Sequence, residues 1–139
     1  MFSLGTHADV NTNSDTYIAY LWTEITGFSK FGSYTGNGSA DGPFVYTGFK
    51  PRFIIIKRSD AGAENWQGQD TARNPNNVID DVMFMDTYHV EQLNNTGFYV
   101  DLLSNGFKIR TLHDGKNASG GTYIYAAFAE MPFKYARAR

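Results

Sequence analysis

Apolar and polar residues alternate along short stretches of this chain, and clusters of Gly, Asn, Ser and Asp separate the stretches. A period of two marks strands with one covered face, while small polar residues suit tight turns. Strands are predicted at residues 16–25, 28–35, 43–48, 52–58, 82–86, 97–103, 107–112 and 122–131. Turns are predicted at Asn11-Thr12-Asn13-Ser14-Asp15, at residues 36–42 and at Asn117-Ala118-Ser119-Gly120-Gly121. Two segments are apolar on both faces, Phe53-Ile54-Ile55-Ile56 and residues 123–129. That pattern belongs to central strands covered on both sides. Ala126, Ala127 and Ala129 are helix formers, but Gly120-Gly121 and the Tyr-Ile-Tyr that follows favour a strand there. The fold class this implies is all-β: an antiparallel, jelly-roll-like β-sandwich of short strands in a single domain.

The sharpest local expectation is a hairpin centred on Asn105-Gly106. A two-residue Asn-Gly loop suits a type I′ turn, whose twist matches that of the flanking strands. It would pair Leu102 with Ile109, Asp101 with Arg110 and Val100 with Thr111. The chain also echoes itself: Thr16-Tyr17-Ile18 through Glu24 returns as Thr122-Tyr123-Ile124 through Glu130, with Asn11 falling where Asn117 does. Residues 1–26 therefore resemble the closing strands of a preceding repeat, and residues 27–139 a complete repeat unit.

Composition narrows the class. The chain has 139 residues, enough for a real core, with 11 Phe, 9 Tyr and 14 Gly. It has no cysteine, which excludes disulfides and thiolate chemistry. Its formal charge of −2 is scattered, apart from Lys134, Arg137 and Arg139, and offers no basic stripe for nucleic acid. No stretch has the length of a membrane span, and residues 1–10 lack the pattern of a signal peptide. If the protein acts outside a cell, a route other than classical secretion must release it, and lysis would do that.

Longer motifs carry a resemblance. Gly27-Phe28-Ser29-Lys30-Phe31-Gly32-Ser33-Tyr34-Thr35-Gly36-Asn37-Gly38, the run 41–49, residues 53–58, Asp70-Thr71-Ala72-Arg73-Asn74-Pro75-Asn76 and Leu103-Ser104-Asn105-Gly106-Phe107-Lys108 are similar to a domain recurrent in phage tail and virion proteins. The closing run 117–130 with Pro132-Phe133-Lys134 is the strongest match, and about 78–96 has none. The resemblance implies a structural protein of tail-fibre or capsid-fibre type, acting in assembly and in adhesion to a host surface. It implies no activity and no functional residues.

Little in the sequence points to chemistry. His7, His89 and His113 lie far apart, with no second ligand at metal spacing. Asp80 and Asp81 are adjacent and would point to opposite faces of a strand, while Asp86 sits further along. A calcium loop is conceivable at Asp9, Asn11, Asn13 and Asp15, but glycine is missing at its sixth position and glutamate at its twelfth, and an Asx-rich turn explains the run equally well. No enzyme and no cofactor are expected. For ligand binding, the divergent segment 61–96 stands out because it holds Trp66, Arg73, Tyr88 and His89, types that stack on sugars or anchor interfaces. The competing reading makes Trp66 a core residue. The partners expected are copies of the chain, other virion proteins and host surface glycans. Two alternatives stand beside the virion reading: a lectin-like module using Trp66 and Tyr88, and a self-polymerising extracellular filament subunit.

Overall fold

The fold is described from a computed structural model for residues 1–62 and 64–130. Among the described residues eight strands form two antiparallel sheets: β1 (Ser29–Thr35), β2 (Phe44–Tyr46), β3 (Pro51–Arg58), β4 (Gln67–Asp70), β5 (Met83–Phe84), β6 (Val100–Leu103), β7 (Gly106–Ile109) and β8 (Thr122–Ala129). One sheet has the order β1-β8-β3-β4-β5 and the other β2-β7-β6. The first strand pairs with the last, and the second with the seventh, which is the nesting of a jelly roll; hairpins β3-β4 and β6-β7 replace its inner crossovers. Two helical turns, α1 (Ala8–Asn11) and α2 (Asp114–Asn117), complete the regular structure with a short 3-10 turn at Thr96–Phe98.

The sheets meet over a core of Ile54, Ile56, Val100, Leu102, Phe107, Ile109, Tyr123 and their neighbours. Phe107 and Tyr123 are fully buried. Phe107 meets Tyr34 and Tyr125 edge-on, and Tyr34 stacks on Tyr123 at 4.9 Å between ring centres. As the apolar pattern of 53–56 and 123–129 indicated, β3 and β8 are central strands.

Three expectations are corrected. The hairpin turns at Ser104-Asn105, so Leu102 pairs with Phe107, Asp101 with Lys108 and Val100 with Ile109. The shift is by two residues, which leaves every side chain on its expected face. Neither Asn105 nor Gly106 has the positive φ a type I′ turn requires. Gly106 is instead a strand residue under β2, where a Cβ would lie 2.2 Å from the Val45 carbonyl. The Asn105 carbonyl accepts the N–H groups of Thr47 and Gly48. Arg110 still reaches Asp101 diagonally, at 3.5 Å.

The second correction concerns residues 16–25, which make no strand; only Ile25 bridges Ser29. The third is β4, which the pattern missed. Gln67 and Gln69 point into the core, where the Gln67 amide donates to the Gly115 carbonyl and the Gln69 amide to the carbonyls of Ile79 and Phe98. The residue at 131 and the basic residues Lys134, Arg137 and Arg139 lie outside the described residues.

The closing loops are held from within. Asn117 is fully buried; its amide donates to Asn37 Oδ1, the Ser39 carbonyl and the Thr111 carbonyl, and its Oδ1 accepts the Asn37 N–H. The loop 36–42 is thereby tied to α2. Beside it, Lys116 is also fully buried, with Nζ donating to Gln69 Oε1 and, at 3.1 Å, to the Phe98 carbonyl. Burial pushes this amine well below the ordinary lysine range.

Candidate functional site

The register of the larger sheet builds a second apolar face on the side away from the core. One row across it reads Phe31, Ala126, Ile55, Gly68 and Met83, and the next reads Phe128 and Phe53 between Ser29 and Asp70. Phe128 stacks on Phe53 at 6.2 Å and meets Phe28 and Phe31 edge-on. Gly68 lets Phe53 and Met85 close over the sheet, since a Cβ there would stand 3.3 Å from both. Between these side chains runs a groove of about 330 Å³, walled by Trp22, Phe31, Ile55, Trp66, Met85 and Ile124. Its walls are almost wholly apolar. Trp22 is 64 % exposed, Met85 52 % and Trp66 39 %. The sheet is thus apolar on both faces, and the second sheet covers only one.

The residues singled out from the sequence are not gathered into one site. Trp66 lies on the groove, its N–H donating to the Asp86 carboxylate at 3.1 Å and its carbonyl accepting the Met85 N–H. Tyr88 meets His89 edge-on and His89 in turn meets Phe84 edge-on; Phe84 sits opposite the inward-facing Gln67 and so on the other face from Trp66. Arg73 bridges Asp70 and Glu91 in a surface ion-pair cluster. Asp80 accepts from Asn74, Asp81 from the Asn94 N–H and Asp86 from Trp66, so each carboxylate holds a separate stretch of chain.

The four residues of the candidate calcium run are also apart in role. Asp9 faces His7 at 3.6 Å and Asn11 donates to the Gly5 carbonyl. Ser14 takes a positive φ in the turn between Asn13 and Asp15. Among the described residues no three His, Asp or Glu side chains gather into a metal-holding group. No helix among them is long and apolar enough to cross a membrane.

The groove residues Phe31, Ile55, Met85, Ala126 and Phe128 were not singled out from the sequence. For Ile55, Ala126 and Phe128 the signal was present in the doubly apolar strands, which the pattern places under cover on both sides. The helical turn preceding the uncovered segment 16–24 repeats the one before β8. His7 Nδ1 accepts the Asp9 N–H as His113 Nδ1 accepts that of Gly115. The Tyr17 hydroxyl donates to the Ala8 carbonyl and accepts the Thr12 N–H, as Tyr123 does with Asp114 and Ala118. Asn11 donates to the Gly5 carbonyl as Asn117 does to that of Thr111.

The chain belongs to the family described as domain of unknown function DUF7483, whose family model matches residues 1–132. No curated protein and no solved structure matches it.

Proposed function

We propose that this chain is a non-enzymatic structural module of a phage virion, of tail-fibre or capsid-fibre type, that works by assembling with copies of itself and with neighbouring virion proteins. One observation carries the reading: a sheet apolar on both faces, with the outer face left to solvent beside an N-terminal segment whose Tyr17, Ile18, Tyr20, Leu21, Trp22 and Ile25 are all exposed. Contiguous exposed apolar surface of this kind marks an interface, because monomers rarely leave so much uncovered. Sugar sites add several hydrogen-bonding groups to an aromatic platform, and the groove offers hardly any. That favours a protein partner over a glycan.

The similarity of residues 27–38 and 117–130 to a phage virion domain supports the setting. Mass spectrometry of gradient-purified phage particles tests it. The protein is expected in the particle fraction in a fixed ratio to the major structural proteins; its restriction to the soluble lysate would overturn the virion setting.

A further inference from the structure

We infer that residues 16–24 of one copy add as a sixth strand to the free edge of β1 in a second copy, linking subunits head to tail. The inference rests on the assembly reading and names its contact.

The edge is open. In the β1-β8 ladder, Gly36 donates to Gly121 and Ala129 to Phe28, so the even residues of β1 bond toward β8 and the odd ones face outward. Of the outward N–H groups, Ser29 is held by the Ile25 carbonyl and Phe31 by the Glu24 carboxylate. Those of Ser33 and Thr35 have no hydrogen-bond partner among the described residues. The stretch from Ser33 to Thr35 is an unprotected edge and a template for another strand.

The segment is built to be a strand of β8 type. It repeats the Tyr-Ile pattern of β8 and the turn, cap and tyrosine bonds that lead into β8, yet it has no ladder of its own. What Asn117 has and Asn11 lacks are the bonds to Asn37 and Ser39, which the loop after β1 supplies. Taking the β8 register, Thr16 would face Thr35 and Ile18 would face Ser33, the two residues with open N–H groups, while Tyr20, opposite Phe31, would displace Glu24 from the Phe31 N–H. Alternation then sets Ile18, Tyr20 and Trp22 on the outer face beside Phe31 and Phe128, and Tyr17 and Leu21 on the core side.

Pairing within one chain is disfavoured. The Ile25–Ser29 bridge would continue as Thr23 opposite Phe31, but the Thr23 carbonyl accepts the Ser29 hydroxyl and Glu24 holds the Phe31 N–H. That register would also turn Trp22 to the core side, whereas Trp22 lies on the outer-face groove. Five large side chains and a β-edge would bury roughly 1,000 Å² in total, the lower bound of a specific interface. Donor segment and acceptor edge are different surfaces, so head-to-tail use of the contact joins successive copies into a chain or a ring.

The absence of native cysteine makes the test clean. Full-length Ile18→Cys and Ser33→Cys proteins are mixed and oxidised. A disulfide-linked dimer holding one of each chain, at far higher yield than an Ile18→Cys and Phe44→Cys control, is expected. Ile18→Pro, which removes a strand N–H, should reduce association at least tenfold with an unchanged far-ultraviolet spectrum. Association that persists in Ile18→Pro without the crosslink would overturn the strand contact and leave self-assembly standing. A wild-type monomer at all concentrations would overturn both.

Discussion

Asn117 carries the heaviest polar duty in the fold, and its removal gives a prediction that can be worked through. Asn117→Ala deletes an amide that reaches Asn37, Ser39 and Thr111, and an oxygen that accepts from Asn37. Two amide hydrogens serve three acceptors, so about three full hydrogen bonds are lost. Each is worth about 1 kcal/mol net, and the buried Thr111 carbonyl left without this donor adds to the cost. The residue has no exposure, so water cannot replace the bonds without opening the site. The sum is about 3–4 kcal/mol, from a total of about 5–15 kcal/mol for a domain of this kind. Urea unfolding followed by far-ultraviolet circular dichroism should show a lower midpoint with the slope unchanged, because the surface exposed on unfolding is nearly the same. A loss below about 1 kcal/mol would refute the claim that this one side chain closes the loops 36–42 and 111–121 onto each other.

Three further outcomes follow from other parts of the structure. Gly106→Ala places a Cβ 2.2 Å from the Val45 carbonyl and should cost about 2–3 kcal/mol by prising β2 from β7, measured by thermal unfolding; a neutral effect would place Gly106 elsewhere. Burial lowers the native pKa of Lys116 below that of the unfolded chain, so between those two values the unfolded state binds the extra proton. Stability should therefore rise with pH through that window, by at most about 1.4 kcal/mol per pH unit, and Lys116→Met should flatten the rise when urea midpoints are compared from pH 7 to 9. Ile124→Lys puts a charge on the outer face at a 39 % exposed position and should weaken self-association without lowering the melting temperature by more than a few degrees, read by light scattering alongside calorimetry.

What the sequence made legible followed from side-chain periodicity. The central strands β3 and β8 announced themselves because Ile54, Ile56, Tyr123 and Ala127 are buried on one face while Ile55, Ala126 and Phe128 remain apolar on the other. The same signal misled on coverage, since a doubly apolar strand implies a second covering layer whether that layer is the same chain or another. β4 was invisible because its inward residues are Gln67 and Gln69, whose amides satisfy backbone carbonyls in the core, and no hydropathy pattern records such a role. The hairpin slipped by two residues because contact with β2, rather than intrinsic turn preference, fixes Gly106. Residues 16–24 have the pattern of a strand but no ladder partner among the described residues, and pattern alone cannot supply one. The buried amine of Lys116 had no sequence signal at all.

A lone subunit leaves an apolar sheet face and a strand-like segment in water. Sedimentation equilibrium of the full-length protein, from micromolar to hundreds of micromolar, examines this directly. Mass should climb with concentration beyond that of a dimer, because a head-to-tail contact joins more than two copies. One sharp species at the mass of a single chain across the whole range would contradict it.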